Sequence, residues 1–242
     1  MSVTVKPSSP IECKPPPNRN KLYYGDNLEV LRKRIRDETI DLCYIDPPFN
    51  SKRNFNQIYN NISGEDRAQA QAFIDTWEWD SVAIEGLSQI LENEHGRFMP
   101  KTIELIKGFR NVLQEGSLLA YLVSMTLRIA EIHRVLKPTG SFYLHCDSTA
   151  SHYLKIVLDT IFGPENFRNE IIWERTSSHN DAKRYADLHD CILYYTQSPK
   201  AVWNPQYIPA DEHYIRTHYN RIDAQGRRYR LDNIIRSSSM GP

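Results

Sequence analysis

One short stretch of this chain combines residue types that could do chemistry on a planar ring. The apolar run Ile40-Asp-Leu-Cys-Tyr-Ile45 is followed directly by Asp46-Pro-Pro-Phe49. Asp46 supplies a carboxylate that accepts hydrogen bonds, and Phe49 supplies an aromatic face for stacking. The two prolines fix their own φ angles, and Pro47 also restricts the backbone of Asp46. The pattern predicts a catalytic loop that holds one shape before any ligand binds.

The element that must hold this loop is a strand. Residues 40–45 are almost continuously apolar, which favours a strand buried on both faces of a parallel sheet. Asp46 would then lie just past its carboxyl end, where ligands collect in open α/β sheets. The alternative is that Asp-Pro-Pro is only a strand-to-loop turn, because Asp and Pro favour turns in any case.

The remaining elements alternate between strands and helices. We predict strands at residues 22–24 and 141–146, helices at 27–36 and 153–161, and a polar, irregular stretch over 50–100. The clearest helix carries one apolar stripe at steps of four and three residues, formed by Leu118, Leu122, Met125, Ile129, Ile132 and Leu136. This alternation predicts an α/β fold with a mainly parallel sheet flanked by helices.

Five sequence blocks together resemble a known family. The blocks are residues 21–31, 39–50, 134–147, 169–173 and 189–195. In this order they resemble the N-4/N-6 DNA methyltransferases of the permuted class, in which the catalytic half precedes the cofactor half. Modification subunits of type III restriction systems are the most similar group. The resemblance covers roughly residues 20 to 200, and it implies the Rossmann-like sheet of S-adenosylmethionine-dependent methyltransferases.

The resemblance also implies a chemical role for each residue of the loop. Asp46, Pro47, Pro48 and Phe49 match the catalytic motif of the family. An exocyclic amine of DNA is a poor nucleophile because its lone pair is delocalised into the base. The Asp46 carboxylate and the Pro47 carbonyl would accept hydrogen bonds from the two N–H groups of the amine. Phe49 would stack on the flipped base. Adenine N6 is preferred over cytosine N4, because an aromatic after Asp-Pro-Pro goes more often with adenine in this family.

The cofactor half of the family pattern is missing from these residues. All ten glycines are isolated and no Gly-x-Gly occurs, so no glycine-rich cradle for S-adenosylmethionine can be built. Asp26 is our one candidate for a cofactor contact, with an Asx turn or a helix N-cap as the alternative. We interpret the chain as the amino-terminal catalytic part, with an incomplete sheet, and expect it to be inactive alone.

This interpretation predicts three segments. They are a flexible lead over residues 1–20, the catalytic part over 21–200 and the start of a target-recognition region over 201–242. Expected partners are double-stranded DNA, the missing carboxyl-terminal half of the enzyme and a restriction subunit. The alternative function is a catalytically inactive remnant or a DNA-binding fragment that lacks the cofactor site.

Several polar and aromatic groups allow two interpretations. One cluster near the end suits phosphates and exposed bases, or is the solvated face of a hairpin around residues 224–226; it comprises Arg216, Arg221, Arg227, Arg228, Arg230 and Arg236 with Tyr214, Tyr219 and Tyr229. Trp77 and Trp79 either face DNA or anchor a surface loop. For Arg32, Lys33, Arg34 and Arg36 we expect a solvated helix face.

Composition excludes several classes. The net charge is zero, which argues against DNA binding by bulk charge. The longest apolar run, residues 118–123, is too short to span a membrane, and the four cysteines are widely spaced, so we expect a cytoplasmic protein with reduced thiols. We predict no metal site, because neighbours on a strand such as His145 and Cys146 point to opposite faces. No Gly-x-Ser-x-Gly turn supports a hydrolase.

Overall fold

The computed structural model describes residues 20–49, 77–175, 188–205, 207, 209 and 211–231. The helices are α1 (Asn27–Arg34), α2 (Ser81–Glu92), α3 (Pro100–Leu113), α4 (Ser117–Val135), α5 (Ser151–Phe162) and α6 (Glu212–His218), with a 3-10 turn at Pro164–Asn166. The strands are β1 (Ile40–Ile45), β2 (Leu136–Cys146), β3 (Phe167–Glu174), β4 (His189–Thr196), β5 (Arg221–Ile222) and β6 (Arg228–Tyr229). The chain divides into two compact units, Met1–Val202 and Trp203–Pro242. The predicted lead over residues 1–20 lies outside the described residues except for Asn20.

The larger unit holds a four-stranded sheet in the order β1-β2-β4-β3. β1 and β2 pair in parallel, whereas β4 pairs antiparallel with both β2 and β3. The predicted α/β class is therefore confirmed for an incomplete sheet, but the expectation of a mainly parallel sheet is wrong. β4 follows β3 and returns beside it, and a strand that returns to its predecessor pairs antiparallel.

Helices α4 and α5 cover one face of this sheet. The predicted stripe on α4 is confirmed, since Leu122, Met125, Ile129 and Ile132 are buried. α4 passes directly into β2. Alternate residues of β2, namely Phe142, Leu144 and Cys146, are buried in the same core as Leu193 and Tyr195 of β4. The alternation arises because successive strand residues point to opposite faces.

The predicted irregular stretch over residues 50–100 contains an unpredicted helix, α2. Asp80 caps its first turn, where its Oδ1 accepts a 2.9 Å hydrogen bond from the Ala83 backbone N–H. Its buried face, Ala83, Gly86, Leu87 and Ile90, follows helical spacing. A Cβ on Gly86 would lie 3.0 Å from Val123 Cγ1 of α4, so the two helices approach closely at this glycine. Val82 and Ile84 are apolar but exposed on the same helix, so its sequence shows no clean apolar stripe.

Among the described strands β1 lies at the edge of the sheet, and it is not buried on both faces. The side chains of Leu42 and Tyr44 are exposed on one face, while Cys43 and Ile45 pack against the core on the other. An apolar sequence does not show whether one or both faces of a strand are covered by other elements, which explains why the predicted burial of both faces was wrong. The predicted strand at residues 22–24 is also absent from the structure, and α1 ends at Arg34 instead of residue 36.

The expected solvated face of α1 is wrong at Arg32. Its guanidinium approaches the buried carboxylate of Glu131 on α4, with Nε 3.4 Å from Oε1. Arg97 and Arg134 pair with the same carboxylate. Lys33 instead pairs with Glu29 on the exposed surface of α1, as a solvated face would. None of the described helices has the length and apolar character needed to cross a membrane.

Candidate active site

The Asp46 loop lies at the carboxyl end of β1, as predicted. The parallel register pairs Ile45 with Leu144, which brings Asp46 beside the next residue of β2, His145. The Asp46 side chain is 58% exposed, whereas Pro47, Pro48 and Phe49 are half-buried. The loop therefore presents a solvent-accessible carboxylate on a partly packed backbone, which suits an acceptor for a substrate amine.

His145 is the centre of this site, although the sequence analysis considered it only as a metal ligand. Its Nδ1 lies 3.6 Å from Asp46 Oδ1 and 3.0 Å from the Tyr44 hydroxyl oxygen. The ring of Phe49 lies against the imidazole, with the ring centroids 5.4 Å apart and the planes at 57°. The histidine thus contacts both side chains that we predict to act on the base.

A buried carboxylate lies on the other side of the imidazole. Asp190 Oδ2 is 3.2 Å from His145 Nε2, and Asp190 Oδ1 accepts a 3.0 Å hydrogen bond from Arg175 Nη1. Asp190 stands near the start of β4, which lies beside the end of β2 because these two strands are antiparallel. The antiparallel pairing therefore brings Asp190 to the end of the sheet where Asp46 lies. In the predicted parallel sheet Asp190 would have been at the opposite end of the strands.

The thiols near the site are poor nucleophiles. Burial raises the pKa of Cys43 to about 11 and that of Cys191 to about 12, and it also raises the pKa of Cys146. All three described cysteines are free. Since the thiolate is the reactive form, covalent catalysis by these groups is disfavoured at neutral pH.

Asp26 acts as the N-cap of α1. Its Oδ1 accepts hydrogen bonds from the backbone N–H groups of Leu28, at 2.7 Å, and Glu29, at 3.4 Å. Its Oδ2 accepts a 2.7 Å bond from Arg128 of α4. The alternative role as an N-cap is confirmed, and both oxygens have partners within the protein. A cofactor contact at Asp26 stays a prediction.

The described residues include the loop that we predict to act on a substrate amine, Asp46 to Phe49. The glycines within the described ranges do not suit S-adenosylmethionine, because none of them forms a Gly-rich turn between a strand and a helix. Gly25, which precedes the N-cap of α1, has a φ of 127° and open space at its Cβ position, but it is a single glycine. These residues alone therefore provide no cradle for the cofactor.

Two groups with alternative interpretations take defined positions. Trp77 and Trp79 pack against the core of the larger unit, and the Trp77 ring meets that of Tyr121 edge to face at 5.5 Å. Their role as anchors is therefore favoured. His145 and Cys146 lie on opposite faces of β2, as expected, because Cys146 points into the core while His145 contacts Asp190.

The arginine-rich segment forms the hairpin β5–β6 in the smaller unit. Its turn carries Gly226 at a φ of 81°, and Asp223 accepts hydrogen bonds from the backbone and side chain of Arg227. Arg216 pairs with Glu212 on α6. Two of the candidate cations thus have carboxylate partners, while Arg236 lies outside the described residues. The hairpin itself is confirmed, and DNA contact by its arginines stays a prediction.

Comparison with known proteins gives a consistent result. A family described as DNA methylase matches residues 40–236. The type II methyltransferase M.KpnI of Klebsiella pneumoniae is 28% identical over 220 residues, which cover 90% of this chain and 40% of that protein. The StyLTI Mod subunit, a type III restriction-modification enzyme subunit of Salmonella typhimurium, is 24% identical over 86% of this chain and 28% of its own length.

A solved structure is similar at a lower level. The cytosine-N4-specific PvuII DNA methyltransferase aligns with a TM-score of 0.40 and 13% identity, over 86% of this chain and 65% of its own. The chain spans 40% or less of the length of the two curated relatives above. Because the family match extends over most of its residues, the chain belongs to the DNA methylase family.

Proposed function

We propose that this chain is the catalytic part of a site-specific DNA methyltransferase that methylates the exocyclic amine of a flipped base. The observation that carries the proposal is the Asp46-Pro47-Pro48-Phe49 loop at the carboxyl end of β1, in a chain of the DNA methylase family. S-adenosylmethionine is the proposed donor and, when bound, supplies an electrophilic methyl group. The remaining chemistry belongs to the loop.

The loop residues would activate and hold the amine. The amine lone pair is delocalised into the base, so it attacks poorly until hydrogen bonds to acceptors shift the nitrogen toward sp³ geometry. The exposed Asp46 carboxylate would accept a hydrogen bond from one N–H of the amine, and the carbonyl of Pro47 would accept one from the other. Phe49 would stack on the flipped base, which has left the helix and lost its neighbours.

We propose adenine N6 as the target and keep cytosine N4 as the alternative. The support for adenine is the aromatic residue directly after Asp-Pro-Pro. Proposed partners are double-stranded DNA and a carboxyl-terminal half that supplies the cofactor site. A restriction subunit is a further proposed partner, because one relative is a subunit of a type III restriction-modification enzyme.

The test replaces Asp46 by Asn in the intact gene product that contains this chain. Asn keeps the size of the side chain but loses the charged acceptor, so we expect methylation to fall by about 100-fold or more. The melting temperature should stay within about 2 °C, because the side chain is exposed and surface substitutions have small effects. Nucleoside mass spectrometry of the methylated DNA measures the product and separates N6-methyladenine from N4-methylcytosine.

Asp41→Asn is the matched control. Asp41 is an exposed aspartate of the same strand, paired with Lys137 at 2.7 Å and placed at the opposite end of β1. It should methylate like the wild type. Methylation by Asp46→Asn at the wild-type rate would contradict the assigned role, and N4-methylcytosine as the product would replace the proposed target base.

A further inference from the structure

A chain of polar contacts leads from the Asp46 carboxylate into the protein. His145 Nδ1 faces Asp46 Oδ1 at 3.6 Å and the Tyr44 hydroxyl at 3.0 Å. Beyond the ring, His145 Nε2 faces Asp190 at 3.2 Å, and Asp190 is held by Arg175 at 3.0 Å. The proposed function uses only Asp46 of these five residues. The other four lie behind Asp46, on β1, β2 and β4 and at the end of β3.

These contacts determine which nitrogen of the imidazole carries the hydrogen. The Asp190 carboxylate is 5% exposed and only accepts hydrogen bonds, so His145 Nε2 is the donor. In the neutral ring Nδ1 then holds a lone pair, and the Tyr44 hydroxyl donates to it. A buried carboxylate that fixes the tautomer of a histidine is a known way to orient a base.

The gap between His145 and Asp46 is suited to a proton. At 3.6 Å the two atoms are too far apart for a hydrogen bond, and with a neutral ring both are acceptors with no hydrogen between them. A proton that arrives on Asp46 supplies the missing donor. The loop and the ring would then approach each other by a few tenths of an ångström to form the bond.

We propose that His145 is a positioning residue that receives, through Asp46, the proton lost by the target amine. This inference rests on the proposed function, in which the amine nitrogen bonds the methyl carbon of a sulfonium donor while the carbon–sulfur bond breaks and its electron pair stays on sulfur as a thioether. The N–H proton passes to Asp46 Oδ1, while its bonding electron pair stays on nitrogen. The proton then moves to His145 Nδ1 as the Tyr44 hydroxyl gives up its hydrogen bond to that nitrogen. The transfer restores the Asp46 carboxylate and forms an imidazolium that releases a proton to solvent.

The surroundings of the ring favour a transient positive charge. Among the described residues, the titratable and charged groups with contacts that lead to the ring are Tyr44 of β1, Asp46 of the loop, Asp190 of β4 and, through Asp190, Arg175 after β3. The carboxylate of Asp190 touches the ring directly and stabilises the imidazolium, and Arg175 acts only through Asp190. Partial burial and the charge of Asp46 raise the pKa of Tyr44, so its hydroxyl stays a donor.

This role predicts a specific pH dependence. A ring that is already protonated cannot receive the proton, and its Nδ1–H would bind Asp46 in competition with the amine. The methylation rate should therefore decline toward acidic pH. A variant with no ionisable group at position 145 should lose this decline.

The test measures kcat and KM for DNA against pH in the intact gene product. His145→Gln keeps a donor toward Asp190 but removes the titrating acceptor, and we expect kcat at pH 8 to fall about 10- to 100-fold with KM changed less than about twofold. The decline at acidic pH should disappear in this variant. Asp190→Asn should also lower kcat, because an amide can donate to Nε2 and reverse the tautomer. His95→Gln, at an exposed histidine in the turn after α2, is the control and should match the wild type.

Two results would overturn the inference. One is an unchanged kcat in His145→Gln, and the other is a reduced kcat that keeps the acidic decline, as a purely structural role would give. If the variants do not fold, ¹⁵N NMR of His145 in the wild-type 242-residue chain decides, with protonated Nε2 and unprotonated Nδ1 expected at about pH 8. A protonated Nδ1 would refute it. Loss of methylation in the wild type itself would instead refute the proposed function.

Discussion

At the scale of single residues, the proposed catalytic loop combines exposed and packed groups. The Asp46 carboxylate is exposed to solvent, while Phe49 is half-buried against the imidazole of His145. A side chain held on one face by a neighbouring ring loses little conformational freedom when a base stacks on the other. The contact with His145 therefore prepares Phe49 for stacking.

Substitutions at Phe49 should separate stacking from packing. Phe49→Ala removes one base-stacking contact, so we expect binding of the flipped base to weaken by about 1–3 kcal/mol, or roughly ten- to hundredfold. Phe49→Trp retains an aromatic face and should keep most of the activity. Fluorescence of 2-aminopurine at the target position measures the flipping, and methylation rates measure the chemistry.

The two variants also control each other. An equal loss of activity in Phe49→Ala and Phe49→Trp, together with equal losses of melting temperature, would indicate that Phe49 is only a packing residue. Unchanged binding in Phe49→Ala would likewise contradict a stacking role.

At the scale of elements, α1 is attached to α4 by a buried charge cluster. The carboxylate of Glu131 is 1% exposed and is approached by Arg32, Arg97 and Arg134. Arg134 also donates to the backbone carbonyl of Leu31 at the end of α1, at 2.8 Å. Because α1 leads into β1, this cluster helps to hold the strand that carries the catalytic loop.

Removing the buried carboxylate should destabilise the larger unit. Glu131→Gln leaves three guanidinium groups around a neutral side chain, and breaking a buried ion pair from one side costs about 3 kcal/mol or more. Urea unfolding followed by circular dichroism measures the free energy of unfolding. Glu104→Gln on α3 is the control, since this exposed glutamate pairs with the exposed Lys107 and its loss should change stability by less than about 0.5 kcal/mol. Equal effects of the two substitutions would contradict a stabilising role for the cluster.

At the scale of the whole molecule, the sequence combines the Asp-Pro-Pro-Phe loop with the absence of a glycine-rich motif. No Gly-x-Gly occurs in the 242 residues, and Asp26 is already engaged by the backbone of α1 and by Arg128. Backbone approach to the adenosyl group needs such glycines, because a Cβ would block it. Cofactor binding and catalysis are therefore expected to need residues from a further segment.

This expectation predicts that the 242-residue chain alone does not bind S-adenosylmethionine. Isothermal titration calorimetry on the purified chain should detect no binding with a Kd below about 100 μM, whereas the intact gene product should bind. The intact protein is the positive control for the cofactor preparation. Micromolar binding by the isolated chain would show that our placement of the cofactor site is wrong.

The sequence by itself determined the features that depend on local pattern. The apolar stripe of α4, the strand before Asp46 and the turn at Gly226 all follow from residues within a few positions of one another. Periodicity and turn chemistry act at this range, which is why these elements were predictable. The motif blocks in their order were also sufficient to predict the family.

Only the tertiary structure decided how these pieces meet. His145 and Asp190 are 45 positions apart, and their contact exists because β4 enters the sheet antiparallel to β2. Arg32 reaches the buried Glu131 only because α1 packs on α4. Strand pairing and ion-pair formation depend on which distant elements become neighbours, and no local pattern records that choice. The position of Asp46 at the end of β1 was therefore predictable, and its contact with His145 was not.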